Sequence, residues 1–339
     1  MYSTLKKDVS KFEPRTEQQN CLNFIEKTLE DSKLVKFFLL DLPVGVGKSH
    51  LSIMISDWYK KNINKAAKVD IITATKILQD QYSESYGSLN NLKGNDNYNC
   101  SEFSCSCKFG KQLAKLAKKK CDACPYDNSR NNYMNGGLSL TNFYLYSIFS
   151  LFGDKMPETR KADVLILDEA HLFDDIMCDF FNFKVNERFI KRFKLPNEKA
   201  ILSDLKKIND LESYIDFLND LNEQLCEAID QLSREIGLDD KLKNKKLIDR
   251  SSKLSKVLKK ENNVTKSMSV LFDITNEQGK LDLILKEYKL NDSNWIFDKT
   301  KVYKDKEYSY SISAIWSYDF LDKYIFSKYE RVFLMSGTI

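Results

Sequence analysis

The chain has 339 residues, 42% of them hydrophobic and 30% charged, with a net charge of +4. This balance suits a globular protein with a substantial core and argues against disorder, while so small a net charge leaves any nucleic-acid surface to local clustering. No apolar run approaches the roughly 20 residues that span a bilayer, and the opening "MYSTLKKDVSKFEPR" lacks an apolar signal core. The expected location is therefore cytoplasmic, without membrane contact.

Four short runs read as core strands, at residues 35–40, 69–73, 164–167 and 332–335. They are nearly continuous in apolar residues, as strands of a parallel sheet covered on both faces should be. Helical stretches follow the first two, which predicts βα units and an α/β fold. The first strand leads into "DLPVGVGKSHLSIMISDWY". Backbone amides across Gly45, Val46, Gly47 and the helix start at Lys48, Ser49 and His50 could cradle phosphates, helped by the helix dipole. In that reading Lys48 reaches the β- and γ-phosphates and Ser49 ligates magnesium. Leu42 stands where the full phosphate-loop pattern has its first glycine. The bland alternative is a chance turn, which the flanking strand and helix disfavour.

Beyond the second strand, Cys100, Cys105, Cys107, Cys121 and Cys124 crowd into one lysine-rich segment, while Cys21, Cys178 and Cys226 stand apart and read as buried small side chains. In a reducing compartment disulfides are rare, so the crowd points to metal ligation. Four thiolates suit tetrahedral zinc or a [4Fe–4S] cluster, and one clear C-x-x-C pair does not choose between them. Between these cysteines "FGKQLAKLAKKKC" puts Lys111, Lys115 and Lys118 on one helical face. Such a stripe gives salt-sensitive, sequence-blind phosphate contact, or is simply a solvated helix face.

The third strand ends in "LILDEAHLF", placing Asp168 and Glu169 at the edge where ligands of α/β sheets bind. Asp168 would hold magnesium through water, and Glu169 would orient or deprotonate an attacking water. His171 is either a satisfied core histidine or a group that senses nucleotide and couples to the closing loop. An amphipathic helix or helical pair spans residues 201–236 and ends near Gly237. A second helical region runs to about residue 290, and "WIFDKTKVY" with "YSYSISAIW" forms a hairpin. The last strand leads into Ser336, Gly337 and Thr338, and no internal repeat is evident.

"VGVGKS", "DEAH" and "SGT", in that order, resemble motifs I, II and III of superfamily two helicases. The closer resemblance is to the XPD/DinG-like, or Rad3-related, branch. Arg15 and Gln18 of "RTEQ" resemble that branch's adenine-reading R-x-x-Q. "TATKILQDQY" resembles its motif Ia, which implies single-strand contacts at Thr73, Thr75 and Gln79. "LKGNDNYNC" resembles the passage into its iron–sulfur segment, with Asn95 where the family has arginine, and "CPYDNSRNNY" followed by "LTNFYLY" resembles the way back into the motor domain. The resemblance implies a [4Fe–4S] cluster on Cys100, Cys121, Cys124 and either Cys107 or Cys105; the "KFG" after Cys107 favours it.

These matches imply a RecA-like P-loop motor domain with a parallel sheet, carrying an iron–sulfur insertion and a mostly helical arch insertion. The expected boundaries are 1–92, 136–180 and 301–339 for the motor domain, 93–135 for the cluster insertion and 181–300 for the arch. A second RecA-like domain is missing from this stretch and would act in cis or in trans. Implied are ATP, Mg2+ and single-stranded or fork DNA, and a 5′–3′ DNA helicase of repair, replication or recombination type. Two other classes compete: a DNA-binding module that binds nucleotide without turnover, and a zinc-stabilised interaction protein.

Overall fold

The computed structural model describes residues 13–87, 89–103, 105–116, 121, 123–152, 160–193, 195–243, 254–302 and 307–337. In chain order the elements are α1 (Thr16–Asp31), β1 (Phe37–Asp41), α2 (Lys48–Asn62), β2 (Val69–Thr73), α3 (Lys76–Ser85), β3 (Asn90–Asn91), α4 (Cys107–Leu116), α5 (Pro125–Asn135), β4 (Leu138–Asn142), α6 (Phe143–Leu151) and β5 (Val164–Asp168). They continue with α7 (His171–Phe180), β6 (Asn182–Val185), α8 (Glu187–Phe193), α9 (Glu198–Leu205), α10 (Leu211–Lys243), α11 (Leu254–Leu290), β7 (Trp295–Val302), β8 (Glu307–Ala314), α12 (Tyr318–Tyr324) and β9 (Arg331–Ser336). Two units emerge, one of residues 1–177 with 317–339, the other of residues 178–316.

The first unit is built on a parallel sheet with strand order β1-β9-β5-β2-β4-β3. Its inner strands β2, β4 and β5 are buried at every position, which explains their apolar composition, while β1 at the edge alternates between exposed and buried. Ile25 of α1, Leu51 and Ile55 of α2, and Ile71, Ile166 and Phe333 of the strands share one core. Register aligns the carboxyl ends: Asp41 stands beside Ser336, Met335 beside Asp168, Asp168 beside Thr73, and Thr73 beside Asn142. At that same edge Thr75 caps α3 by accepting from Leu78 N (3.2 Å), and Asn142 caps α6 by accepting from Leu145 N (3.0 Å). The α/β expectation therefore holds, and β4 is an added strand that the sequence reading did not contain.

The second unit contains an antiparallel sheet of order β6-β8-β7, with β7 and β8 forming the expected hairpin from Trp295↔Ala314 to Val302↔Glu307. The hairpin lies whole within residues 178–316, whereas a boundary at residue 300 would cut through β7. Long helices α10 and α11 pack together. Helix α10 runs through Gly237 to Lys243 rather than stopping near Gly237, as one interior glycine costs only about 1 kcal/mol. Tyr214 of α10 donates its hydroxyl to Tyr310 O (3.0 Å), fastening the helix to the sheet. Of the three solitary cysteines, Cys226 is exposed and Cys21 and Cys178 are half-buried, so none is the buried side chain expected. Among the described residues no helix is long and apolar enough to cross a membrane.

Candidate nucleotide site and cysteine cluster

Gly45 and Gly47 adopt φ of +92° and +85°, left-handed values that favour glycine and let the loop fold back on itself. Gly47 also admits a close neighbour, since a Cβ there would lie 2.9 Å from Gln18 Nε2. That amide donates to Val46 O (2.9 Å), and Arg15 Nη1 donates to Gly45 O (2.5 Å). Arg15 and Gln18 thus brace the loop's backbone, and Gln18 Oε1 is taken by Arg15 N (3.0 Å). Leu42 explains its departure from glycine: its side chain is buried in the core while its N–H donates to Ser336 O (2.7 Å).

Across the sheet edge, Lys48 Nζ forms an ion pair with Glu169 Oε1 at 2.9 Å. Glu169 has φ +60°, an uncommon conformation for a non-glycine residue, of the kind found at functional sites at a cost of about 1–3 kcal/mol. Asp168 is buried, and burial pushes its carboxyl above the usual range even though Tyr82 and Lys48 pull the other way. Tyr82 OH donates to Asp168 Oδ2 (2.8 Å) and lies 2.9 Å from Ser52 Oγ. Asp168 Oδ1 is buried with no hydrogen-bond partner among the described residues. Such an orphaned oxygen fits a magnesium-bound water. His171 Nδ1 lies 2.7 Å from Ser336 Oγ and 3.6 Å from Glu169 Oε2. Gly337 sits against the glycine loop, where an added Cβ would lie 3.1 Å from Leu42 O and 3.2 Å from Lys48 Nζ. Loop, carboxylates, His171 and Ser336 therefore meet in one place, and His50 joins them through Tyr86 OH (2.9 Å from Nδ1). Thr338 lies outside the described residues.

The three residues expected to contact a single strand are placed differently from one another. Thr73 and Gln79 are fully buried. Gln79 Nε2 donates to Asn91 Oδ1 (2.5 Å) and Leu92 O (2.7 Å), and its Oε1 accepts from Asn142 (3.1 Å). Both residues serve the interior, and Thr75 alone of the three is exposed. Lys111 pairs with Asp127 (2.5 Å) and lies over the Tyr126 ring. Lys118 and the side chain of Lys115 lie outside the described residues.

The five crowded cysteines share one apolar cluster with Leu92, Tyr126, Tyr133 and Leu145. Cys100, Cys107 and Cys124 are buried, with Cys105 and Cys121 at the margin. Two thiol pairs meet: Cys100 with Cys121, and Cys107 with Cys124, each at 3.9 Å between sulfurs. Cys105 forms neither contact, and its carbonyl accepts from Cys100 N (2.7 Å). Among the described residues no three potential ligands are grouped as a formed metal site. The donor set nevertheless fits a thiolate-bound metal group, and burial pushes the Cys107 thiol up to about 11, so ligation must displace a proton there. Gly110 makes room for Cys100, because a Cβ there would lie 2.5 Å from its sulfur.

The cluster's exit is anchored to the sheet by a buried network. Arg160 donates to Asp70 Oδ1 (2.5 Å), Tyr133 O (2.6 Å) and Gly136 O (2.6 Å), and Tyr329 OH donates to Asp70 Oδ2 (2.8 Å). Neither this network nor Tyr82 was anticipated. A tyrosine four residues from a second one, Tyr86, on a helix after the second strand was the available signal.

A family profile described as type III restriction enzyme, res subunit, matches residues 11–196. Among curated proteins none matches the sequence. A solved structure named XPD_Helicase is similar with a TM-score of 0.51 and 13% identity, over 97% of this chain and 59% of its own. Another, named Truncated XPD, has a TM-score of 0.46 and 13% identity, over 96% and 94%. The chain thus spans 59% of the length of the XPD helicase whose fold it shares.

Proposed function

The chain belongs to the type III restriction enzyme res-subunit family and has an XPD-like helicase fold, and on that premise we propose that it is the ATP- and single-strand-binding half of a 5′–3′ DNA helicase. The observation that carries this reading is the Lys48–Glu169 ion pair at the carboxyl edge of a parallel sheet, beside buried Asp168. Amides of Gly45 to Ser49 would receive the phosphates, and Arg15 and Gln18 would hold the loop in shape near the base. On arrival of ATP, Lys48 exchanges Glu169 for phosphate oxygens. Glu169, so released, takes a proton from water as that water attacks the γ-phosphorus and the bond to the β,γ-bridging oxygen breaks. Ser49 and Asp168 would hold the magnesium that accompanies the nucleotide, and His171, 2.7 Å from Ser336 Oγ, would report the site's state to it.

Cys100, Cys107, Cys121 and Cys124 would hold the cluster, the two observed thiol pairs supporting Cys107 over Cys105. A thiolate-bound cluster supplies rigidity to the segment beside the strand path. A second RecA-like domain, in cis or in trans, would complete the nucleotide site with arginines, whose contribution in P-loop enzymes is about 10³–10⁵ in rate. A second reading is a DNA-binding module that binds nucleotide without turnover.

ATP hydrolysis by protein purified without oxygen, with and without single-stranded DNA, separates the two. DNA-stimulated turnover abolished by Lys48→Ala supports the enzyme; ATP binding with no turnover supports the binding module. Iron and sulfide analysis distinguishes a cluster from zinc.

A further inference from the structure

We propose that Tyr82 is a positioning residue that makes the magnesium-side carboxylate Asp168 answer to helix α3. The proposal rests on the nucleotide reading above and deepens it. Tyr82 is fully buried, and its hydroxyl stands between Asp168 Oδ2 (2.8 Å) and Ser52 Oγ (2.9 Å), with Ser49 also interacting. Its single proton goes to the carboxylate, so it accepts from the serine side. A phenol carries one donor hydrogen at neutral pH, and here that hydrogen is directed at the carboxylate. One oxygen of Asp168 is thereby fixed, leaving Oδ1 without a hydrogen-bond partner among the described residues.

The same helix turns a different face outward. Its first turn exposes Thr75, Lys76 and Ile77, the last 80% exposed. Inside, Gln79 ties α3 to Asn91, Leu92 and Asn142, and four residues after Tyr82, Tyr86 reaches His50 at 2.9 Å. The helix is thus bolted at both ends to elements of the nucleotide edge. Any ligand that displaces its exposed turn moves the Tyr82 hydroxyl relative to Asp168. Groups that orient metal ligands in this way are worth about 10–100-fold in metal affinity.

The test follows a fluorescent ATP analogue as Mg2+ is titrated, with and without single-stranded DNA, in the wild type, Tyr82→Phe, Tyr86→Phe, Ser52→Ala and Lys48→Ala. In Tyr82→Phe the half-saturating Mg2+ should rise about 10-fold or more, with magnesium-free binding unchanged and the DNA-induced shift in Mg2+ requirement lost. Tyr86→Phe, which frees α3 from His50 but retains the Tyr82–Asp168 bond, should weaken the DNA-induced shift and raise the requirement less than Tyr82→Phe does, as should Ser52→Ala, which also retains that bond. If Tyr82→Phe fails to fold, Ser52→Ala carries the test, and a wild-type requirement there overturns the assignment. A wild-type Mg2+ requirement in folded Tyr82→Phe, or an equal rise in Tyr86→Phe, overturns it too. A wild type whose Mg2+ requirement ignores DNA overturns the coupling to α3. A wild type that binds no nucleotide, or a Lys48→Ala variant that binds equally well, instead sinks the nucleotide reading itself, and the Tyr82 assignment with it.

Discussion

At the carboxyl edge of the sheet, Asp41, Ser336, Met335, Asp168 and Thr73 stand in line through main-chain pairing, whereas the thiols of Cys100, Cys107, Cys121 and Cys124 meet as two pairs inside a small apolar cluster. The first arrangement is fixed by ladder hydrogen bonds before any ligand arrives. The second has thiols in place without a formed ligand group among the described residues, so under the proposed reading its final geometry depends on what the thiols bind. On the proposed reading, one polypeptide holds a site made by backbone next to a site completed by chemistry.

The contrast breaks most severely at the network joining the two regions. Arg160→Met leaves Asp70 buried without its cation, and loss of one partner of a buried pair costs about 3–5 kcal/mol; urea denaturation should show that loss and iron content should fall with it. An unchanged midpoint would mean that the two regions stand independently. Lys48→Ala sharpens the contrast: ATP turnover should drop about 10²–10³-fold, as when a donor to transition-state charge is removed, while iron content stays at the wild-type level. Gly110→Ala should act in reverse. Its Cβ would press on the Cys100 sulfur, and overpacking of about 1–3 kcal/mol should lower iron loading while nucleotide affinity holds. The mildest effect is on pH. Because burial raises the Asp168 carboxyl, falling pH protonates it before exposed aspartates, so Mg2+-dependent nucleotide affinity should fade above the ordinary carboxylate range. A fade confined to that range would contradict the burial effect.

Much of the sheet was legible because parallel strands covered on both faces need continuous apolar runs. Residues 69–73 emerge as β2 without change. The first strand lies two residues later at its start, at Phe37–Asp41, because an edge strand alternates and its limits blur. β4 escaped notice since "LSLTN" is half polar; its hydroxyls are nonetheless buried and paired, Ser139 donating to Tyr133 O (2.9 Å) and Thr141 to Leu92 O (2.8 Å). Such pairing depends on residues far along the chain, which no local pattern reveals. The glycine loop and the acidic pair could be picked out as candidates because their residues are concentrated in short runs. Tyr82, like Arg160, acts on partners from other elements, so its role emerges only with the fold in hand.

The position of β9 between β1 and β5 bears on how the protein is made. β1 is synthesised early, yet its sheet neighbour comprises residues 331–336. At about 5–20 residues per second, the ribosome leaves β1 waiting for tens of seconds without its sheet neighbour, with Phe38 and Leu40, buried in the finished fold, still uncovered. A long-range parallel closure of this kind folds slowly and is open to association meanwhile. Production of this protein should accordingly respond to slower translation, lower temperature and chaperone supply more than to changes in its surface charge.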